Sequence, residues 1–556
     1  MAAPRSDYNE AMNTAGLLPA PSPIVPASPA TAPGPHALPW TDEEETAFVA
    51  LQNGLRPLWQ SIVDDPYKEQ TVVVLPSMSL DSEEMHKLKG IVHYEERMLF
   101  MLIFLRMLGT RVIFVTSQPI HPSIIDYYLQ LLPGIPASHA RRRLHMLSAH
   151  DASIRPLTEK ILERPALIQR IRHCIGGADH VQMVAFNVTP MERKLSLALG
   201  VPLFGPRAAH LPFGQKSGSR KLFGEVGVPC PPGHEDLRDE GDIAEALVDL
   251  YLRDRQMRRA VIKLNDGFSG DGNAIYPMTA LEHASATGKL TARSGKTVVL
   301  NTLEPLTRFQ AVGVGWDSYL AKFRQMHGIV EGFIEGRRKT SPSVQLRLTP
   351  LGEVEIVSTH DQILGGPGGQ VFIGCRFPAR KVYRQQLHEA GMRVGRRLVE
   401  AGVMSRLSID FVAVPSKGGE WDVQAVEINL RKGGTTHPYR TLELLTGGSY
   451  YPDRGLFVTG SGDVKYYLSS DNIESTSIHG LLPEDLIDIT TYTRLHYRSS
   501  TNTGAVFHMI GALSEFGKVG VTCIGDSRRE AQALYQRAVQ KLTEEATSTR
   551  WMVRAW

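Results

Sequence analysis

A glycine-rich segment, VIKLNDGFSGDGNA at residues 261–274, constrains the fold of this chain more than any other feature. Apolar runs flank the three glycines on both sides, so we expect a hairpin rather than a strand-to-helix turn. Glycines allow a backbone to approach a ligand closely, and successive N–H groups bind anions. Lys263 comes before the glycines, and the Gly-Lys-Ser/Thr ending of a P-loop is absent from the segment. Alone, the segment fits a flap over phosphates and a plain hairpin turn equally well.

A second predicted hairpin carries a set of metal-binding side chains. The runs LSIDFVAV and DVQAVEINLR flank the turn SKGGE. Glu427, Asn429 and Arg431 are two residues apart and therefore point to one face, where Asp410 of the partner strand can join them. Two carboxylates and an amide oxygen suit Mg²⁺, and Arg431 would neutralise a phosphoryl group during transfer. Solvent-facing charges are the alternative, which the apolar residues around this set disfavour.

The region before residue 210 alternates between strand and helix patterns. TVVVLP at residues 71–76 and TRVIFVTS at residues 110–117 are typical of buried strands, with a helical stretch between them. A third strand, HVQMVAFNV, precedes a helix that Thr189 caps and Gly200 ends. This alternation predicts a doubly wound α/β layer. Near the C-terminus, GAVFHMIG and KVGVTCIG predict two strands before a helix with a capping box formed by Ser527 and Glu530.

Composition excludes several classes of protein. The 556 residues allow about three or four domains, and a net charge of +3 is too small to predict nucleic-acid binding. The cysteines are isolated, which argues against a disulfide framework and a structural zinc site: Cys174, Cys230, Cys375 and Cys523. Residues 1–40 are rich in proline and alanine, and we expect them to be disordered. No leader pattern is evident and the longest apolar run is shorter than the ~20 residues of a membrane span, so we expect a cytoplasmic protein without membrane association.

The motifs resemble the ATP-grasp superfamily in their order along the chain. Lys216 precedes a Gly-Val-Pro sequence, the strand lysine and glycine flap follow, and Asp…Glu-x-Asn comes last. The segments FNVTPMERKL, STHDQILGGPGGQVFIGCRFPA and TGAVFHMIGALSEFGKVGVTCIGDS resemble the pheganomycin-type peptide ligases, and this similarity extends over roughly residues 68–550. The resemblance implies a multidomain α/β and α+β fold. It comprises a tail at 1–40, a Rossmann-like pre-ATP-grasp domain at 41–210, an ATP-grasp domain at 211–445 and a small C-terminal α+β domain at 446–556.

The resemblance also implies a nucleotide site. Lys216 and Lys263 would hold the α- and β-phosphates, and Asp410, Glu427 and Asn429 would bind two Mg²⁺ ions. A flap would close over the triphosphate of ATP, and its residues are Gly267, Phe268, Ser269, Gly270, Asp271, Gly272 and Asn273.

The adenine is expected at the strand GIVEGFIEG. Glu331 would accept from the adenine amino group, and the backbone near Phe333 would contact the ring edge; an exposed acid at a strand end is the alternative for Glu331. The acid that commonly grips the ribose is replaced by Arg337, Arg338 and Lys339, so the ribose contacts stay unassigned.

The implied reaction joins the carboxylate of a small acid to the amine of an amino acid or peptide, through an acyl phosphate, with ATP converted to ADP. Lys263 and Arg431 would neutralise charge, and Arg376 would orient the carboxylate. The candidates for the substrate pocket are Arg347, His360, Gln362, Arg376, Thr435, Thr436 and His437. Structural ion pairs are the alternative for Arg347 and Arg376, and a structural role competes with amine deprotonation for His437.

Two other functions remain open at this point. One is an ATP-grasp phosphotransferase, in which a hydroxyl group takes the γ-phosphate and no amide forms. The other is a regulatory protein that binds nucleotide without turnover, which the presence of both lysines and all three metal ligands disfavours. The sequence does not name the acid or the amine, and a homodimer is the default expectation for a soluble enzyme.

Overall fold

A parallel sheet forms the N-terminal part of the chain, in the order β3-β2-β1-β4. The computed structural model describes residues 39–547 except 66, 81, 268–271, 289, 312, 337, 366–368 and 417. All residues of the central strand β1 are buried, because helices cover both faces of the sheet. The helices and strands of this part are α1 Asp42–Asn53, α2 Leu55–Asp64, β1 Gln70–Leu75, α3 Ser82–Lys87, a 3₁₀ helix Ile91–Arg106, β2 Thr110–Thr116, α4 Pro122–Gln130, α5 Ala137–Arg141, β3 Leu144–Ser148, α6 Leu157–Leu162, α7 Pro165–Ile175, β4 Val181–Ala185, α8 Pro190–Leu199 and a 3₁₀ helix Ala208–Gly214.

The predicted α/β layer is confirmed, together with the boundaries of helix α8. Thr189 caps this helix through its hydroxyl, Glu192 completes the capping box, and Gly200 ends it with a φ of 70°. The helical stretch between the first two strands is a 3₁₀ helix rather than an α-helix.

A five-stranded antiparallel sheet follows, in the order β5-β9-β6-β7-β8. Its strands β6 and β7 form the predicted glycine hairpin, with Lys263 opposite Asn273. Its elements are α9 Lys216–Glu225, β5 Gly233–Leu237, α10 Glu240–Arg253, β6 Arg259–Leu264, β7 Asn273–Pro277, α11 Thr279–Thr287, α12 Ala292–Leu306, β8 Arg308–Phe309, α13 Trp316–Met326 and β9 Gly328–Gly332.

A ten-stranded sheet contains the second predicted hairpin, β13 and β14, at one edge. The main path is β14-β13-β10-β11-β12-β17-β16-β15, with β19 on β17 and β18 on β19. The elements are β10 Ser341–Leu348, β11 Val354–Gly365, β12 Val371–Phe377, α14 Lys381–Glu400, β13 Ser405–Pro415, β14 Trp421–Asn429, α15 Thr436–Thr446, β15 Ser449–Tyr451, β16 Leu456–Val458, β17 Val464–Glu474, a 3₁₀ helix Thr476–Ile478, α16 Pro483–Tyr492, β18 Gly504–His508, α17 Ala512–Phe516, β19 Lys518–Gly525 and α18 Arg528–Ala546.

The C-terminal strands are part of this sheet. β12 pairs with β17 in antiparallel register, so the sheet continues across residue 446 and that proposed domain boundary does not coincide with a break in the sheet. The two C-terminal strands expected from the sequence are confirmed as β18 and β19. At α18 the Ser527 hydroxyl accepts from the Glu530 amide as predicted, but the Glu530 carboxylate accepts from Asp526, one residue before the cap.

The largest core cluster joins the N-terminal part to the C-terminal strands. It contains Leu99 of the first 3₁₀ helix, Leu442 of α15 and Val521 of β19. Because these elements pack together, the N-terminal part and the C-terminal strands both contribute walls to one cleft. Within the part of the chain that the structure describes, no helix is both long and apolar enough to cross a bilayer.

An aromatic cluster across the β12–β17 pair predicts one cooperative unfolding unit. Phe377 is fully buried and stacks on Tyr467 with ring centroids 4.8 Å apart, and Tyr439 and Phe457 pack at its edge. We expect Phe377→Ala to lower the free energy of unfolding by about 3–5 kcal/mol, because it leaves a cavity among these rings. Chemical denaturation should show a single transition shifted as a whole.

The exposed Val382, at the start of α14, offers a control for this prediction. Val382→Ala should change the free energy of unfolding by less than about 0.5 kcal/mol. An early, separate transition of the C-terminal residues in Phe377→Ala would contradict the single unit.

Candidate active site

One large cleft lies between the two antiparallel sheets and the N-terminal part. Its volume is about 1200 Å³, above the range of ~300–1,000 Å³ that holds one small ligand. Side chains from β6, β9, β11, β13 and β14 line it, together with residues of the first 3₁₀ helix and of β17. The cleft is therefore large enough for a nucleotide and further substrates together.

The two predicted phosphate lysines are buried and paired with carboxylates. Lys216 Nζ lies 2.8 Å from Glu427 Oε1, and Lys263 Nζ lies 2.5 Å from Glu331 Oε1. Arg220 holds the second oxygen of Glu331 at 2.8 Å. A buried lysine needs such a partner, since an uncompensated charge in these surroundings is costly. Carboxylates therefore hold both lysine side chains in place beside the cleft.

Helix α9 is fixed to the lysine strand by one asparagine. Both the amide and the hydroxyl of Ser217 donate to Asn265 Oδ1, at 3.0 and 2.7 Å, and the Lys216 amide donates to the Asn265 carbonyl. Asn265 lies just beyond the end of β6, two residues after Lys263. These bonds place the start of α9 and the end of β6 side by side, although their sequence positions are about fifty residues apart.

The predicted metal-binding residues meet as expected from their spacing. Asp410 of β13 stands directly opposite Glu427 of β14. Asp410 accepts from Gln362 Nε2 at 2.8 Å and from Asn429 Nδ2 at 3.0 Å. Burial and the nearby charge of Glu427 raise the pKa of Asp410 to about 7, against the pull of Arg431. Burial also acts to raise the pKa of Glu427, but its lysine contacts outweigh this effect and lower it.

These residues fit a hard divalent cation. Two facing carboxylates repel each other, and burial together with the charge of Glu427 raises the pKa of Asp410. A cation bound by Asp410, Glu427 and Asn429 would offset the repulsion between the two carboxylates. The three side chains offer oxygen ligands, the type that Mg²⁺ prefers.

The expected adenine contacts need correction. The Glu331 carboxylate is occupied by Lys263 and Arg220, so it is placed to position the lysine rather than to accept from adenine. The Phe333 amide donates to the Arg259 carbonyl at 3.1 Å. The centre of the Phe333 ring lies 3.9 Å from the guanidinium carbon of Arg259.

Part of the expected flap and ribose region can be located. Asn273 Nδ2 donates to Gln370 Oε1 at 2.7 Å, which joins the base of the glycine hairpin to the loop after β11. Gly267 and Gly272 approach each other at the mouth of the hairpin. Phe268, Ser269, Gly270, Asp271 and Arg337 lie outside the described residues. Lys339 lines the cleft, with Nζ 3.9 Å from the centre of the Phe333 ring.

Three of the predicted substrate residues line the cleft: Gln362, Arg376 and Thr435. Gln362 contacts the metal-binding carboxylate Asp410, as described above. Arg376 Nη2 donates to Gln532 Oε1 of α18 at 3.2 Å, so the guanidinium is oriented from outside the cleft. These positions agree with a role in substrate binding.

Two of the predictions are wrong because the side chains point into the protein or away from the cleft. Arg347 pairs with Glu355 and lies over the ring of Trp59. His360 is fully buried, and its Nε2 is 2.6 Å from the Tyr467 hydroxyl. The next two residues of β11 after His360, Asp361 and Gln362, both line the cleft, so the lining of this strand begins one residue beyond His360.

Two further predictions fall just beneath the cleft wall. The Thr436 hydroxyl accepts from the Gly433 amide at 3.0 Å and stabilises the turn before α15. His437 is buried, with its Nε2 3.1 Å from His508 Nε2 and 3.3 Å from Asp471 Oδ1. Neither side chain is in the lining of the cleft; Asp471 is.

Five basic residues of the cleft lining have long-range partners or neighbours: Arg97, Arg376, Arg380, Lys518 and Arg528. Arg528 and Arg380 lie beside Asp361, whose carboxylate also accepts from the Tyr383 hydroxyl at 2.5 Å. Arg97 pairs with Asp471 at 2.9 Å, and Lys518 Nζ donates to the hydroxyl of Tyr94, whose ring packs against Arg97. Apart from Arg376, no sequence pattern marks these residues, because their partners are far away along the chain.

Asp410 makes the stability of the protein without ligands depend on pH. Its pKa is raised from 3.8 to about 7, so between these values the folded protein binds more protons than the unfolded chain. This carboxyl group's contribution to the free energy of unfolding therefore falls as pH rises. Asparagine does not titrate, and we expect Asp410→Asn to be more stable than wild type by about 1–2 kcal/mol at about pH 8 and by much less at about pH 4.

Denaturant titrations across this pH range, without nucleotide or metal, test the prediction. Asp422→Asn is the matched control, because Asp422 is an exposed residue of the same hairpin. Its effect should stay within about 0.5 kcal/mol at each pH. A difference between Asp410→Asn and wild type that does not grow with pH would contradict the role assigned to Asp410.

Comparisons with known proteins agree with this geometry. Residues 206–451 match the family described as IQCH-like, ATP-grasp, and residues 485–538 match the PGM1 C-terminal domain. The chain is 31% identical over 456 residues to the L-propargylglycine–L-glutamate ligase of Streptantibioticus cattleyicolor, covering 80% of this chain and 88% of that protein. It is 24% identical over 440 residues to the IQ motif-containing protein H of Danio rerio, covering 72% of this chain and 41% of that protein.

Two solved structures share the fold. One is a biotin carboxylase from Campylobacter jejuni with a bound ATP analogue, with 11% identity, a TM-score of 0.50, and coverage of 88% of this chain and 98% of that one. The other is the biotin carboxylase domain of the Hydrogenobacter thermophilus 2-oxoglutarate carboxylase with MgADP, with 12% identity, a TM-score of 0.50, and coverage of 87% and 94%. These likenesses show the fold. The 31% identity to the bacterial ligase over most of both chains shows that the chain belongs to the ATP-grasp ligases, in the family of the pheganomycin-type peptide ligases.

Proposed function

We propose that this protein is an ADP-forming ligase that activates a carboxylate as an acyl phosphate and joins it to the amine of an amino acid or peptide. The observation that carries the proposal is the cleft lined by Lys263, Asp410 and Glu427, with Lys216 bound to Glu427 at its wall. The ligase relative supports the reaction class, since its name describes the joining of two amino acids.

ATP would exchange partners with the protein's own carboxylates. The triphosphate would take Lys216 from Glu427 and Lys263 from Glu331, because a phosphate is a stronger acceptor for a lysine than a shared carboxylate. Glu427 would then be free to bind a cation with Asp410 and Asn429. We place two Mg²⁺ ions there, whose charge would balance that of the phosphates. Glu331 and Arg220 would keep the Lys263 side chain directed at the cleft.

The adenine would lie against the end of β9. The amides of Gly332 and Phe333 donate to the carbonyls of Pro232 and Arg259, which fixes the backbone at this point. Ile334, the next residue, lines the cleft. We therefore propose that backbone atoms around Ile334, rather than the Glu331 carboxylate, recognise the edge of the base.

The chemical steps require alignment and charge neutralisation. A carboxylate oxygen of the acid attacks the γ-phosphorus of ATP, and ADP leaves. The amine nitrogen then attacks the acyl carbon, inorganic phosphate leaves, and the amine loses a proton. Arg431 lines the cleft two residues beyond Asn429 and is placed to neutralise the transferring group. The rate of each attack would be raised mostly because the protein holds the two reacting groups close together.

The substrates are proposed to be amino acids or short peptides with anionic groups. Arg376, Arg380 and Arg528 line the cleft around Asp361, and Arg97 and Lys518 line it near Asp471. These five basic side chains suit substrates that carry carboxylates. The ligase relative acts on two amino acids, glutamate among them, which has a second carboxylate.

Release of ADP tests the proposal directly. Purified protein with Mg·ATP should form ADP only when a carboxylic acid and an amine are both present, and mass spectrometry should detect the amide. L-Glutamate and a panel of amino acids are the first substrates to test. ADP formed with a hydroxyl compound alone, or with no product other than phosphate, would contradict amide formation.

Arg431 should contribute to the rate more than to ATP binding. We expect Arg431→Gln to lower kcat by about 10²–10³-fold with a smaller change in KM for ATP, because the arginine acts on the charge of the transferring group. Arg253→Gln is the matched control, since Arg253 is an exposed residue of α10 paired with Asp249. An equal loss of activity in both variants, or unchanged kcat in Arg431→Gln, would exclude this role.

A further inference from the structure

Three buried side chains beneath the cleft wall point their ligand atoms at one another. They are His437 of α15, Asp471 of β17 and His508 of β18. His437 Nε2 is 3.1 Å from His508 Nε2, and Asp471 Oδ1 is 2.7 Å from His508 Nε2 and 3.3 Å from His437 Nε2. The three atoms thus form a nearly equilateral triangle.

Hydrogen bonds alone account for only part of this triangle. Each Nε2 carries at most one hydrogen, so two nitrogens and one carboxylate oxygen satisfy at most two of the three edges. One metal ion satisfies all three. Ligands at ~2.0–2.1 Å around a tetrahedral ion are separated by about 3.3 Å, which is close to the two distances at His437, 3.1 and 3.3 Å. The 2.7 Å between Asp471 Oδ1 and His508 Nε2 would lengthen when the ion binds.

A fourth residue fixes the carboxylate from behind. Arg97 Nη1 binds Asp471 Oδ2 at 2.9 Å, which leaves Oδ1 directed at the two imidazoles. The Arg97 guanidinium lies over the rings of Tyr94 and Phe186, 4.6 and 5.2 Å from their centres. Metal-binding carboxylates are commonly held by such an outer hydrogen bond, which orients the ligand atom.

The strand next to His508 is shaped to receive its ring. Gly520 of β19 pairs with His508, and a Cβ at position 520 would lie 2.1 Å from His508 Nε2. Any other residue there would displace the ring from the cluster. Gly520 lies inside a strand, where glycine is otherwise unfavourable and no turn requires it. Its lack of a side chain makes room for the His508 ring.

We propose that His437, Asp471 and His508 bind one divalent transition-metal ion of the zinc class, in addition to the cations that accompany ATP. Two imidazole nitrogens and one carboxylate oxygen suit Zn²⁺ far better than Mg²⁺, which prefers oxygen ligands. Three protein ligands leave a coordination position open. Because Asp471 and Arg97 line the cleft, the ion lies within reach of a polar group of a substrate there.

Metal analysis of the full-length protein tests the site without using enzyme activity. The protein is stripped with a chelator, dialysed, and titrated with Zn²⁺ against a competing chelator. We expect about one tightly bound Zn²⁺ in wild type and at least a 100-fold loss of affinity in His437→Gln and in His508→Gln. Arg97→Gln should weaken binding by about 10–100-fold, because it releases the carboxylate that it orients.

Two further variants test whether Zn²⁺ binds at this cluster rather than elsewhere on the protein. His388→Gln is the matched control, since His388 is a buried histidine bonded to the Tyr450 hydroxyl away from the cluster. Asp410→Asn should keep Zn²⁺ binding, because Asp410 belongs to the proposed Mg²⁺ site. Both variants should retain wild-type affinity for Zn²⁺, and a 100-fold loss in either would contradict the assignment to the cluster.

Co²⁺ provides a measurement that needs no variant. Co²⁺ bound to wild type at the cluster should give the intense visible absorption of a tetrahedral site with nitrogen ligands, and Zn²⁺ should displace it. Failure of wild type to bind Zn²⁺ more tightly than His437→Gln, or a Co²⁺ spectrum identical to that of the aqueous ion, would overturn the metal site and leave a hydrogen-bonded His–Asp–His cluster.

Discussion

The cleft depends on buried charges that are neutralised between different parts of the chain. Lys216 at the start of α9 pairs with Glu427 of the ten-stranded sheet, and Arg97 of the N-terminal part pairs with Asp471 of β17. Removing one partner of such a pair costs about 3–5 kcal/mol, because the other charge is left buried and unpaired. Each pair therefore holds two elements in a fixed relative position. Together with the apolar core, these pairs determine the relative positions of the cleft walls.

Under the proposed function, the same pairing would couple the binding of nucleotide and cation. In the ligand-free protein Glu427 and Glu331 pair with the two lysines that the phosphates would contact. Binding of a triphosphate would release Glu427 beside Asp410, where two facing carboxylates would be stabilised by a divalent cation. Nucleotide and cation would then favour each other's binding through one carboxylate.

Local patterns are sufficient to predict the hairpins and the faces of their strands. Asp410 and Glu427 meet because strand alternation and turn length determine which residues stand opposite each other. The Arg220–Glu331 contact is not predictable, since it joins residues 111 positions apart that share no motif. Arg97 and Asp471 are 374 positions apart and meet only after two parts of the chain have packed. The prediction for His360 is wrong although His360 shares a strand face with Gln362, because alternation does not indicate where along a strand a cavity ends.

The continuity of the ten-stranded sheet gives the C-terminal residues a direct part in the site. β17 pairs with β12, so Asp471 reaches the cleft, and β19 places β18 and His508 beside it. His437 comes from the helix that follows the metal-binding strand, and Arg97 comes from the N-terminal part. His437, His508 and Arg97 all contact the Asp471 carboxylate, so the cluster exists only when the N-terminal part is packed on the ten-stranded sheet. A ligand bound there would stabilise the packing of the whole cleft, because it acts only on the folded arrangement.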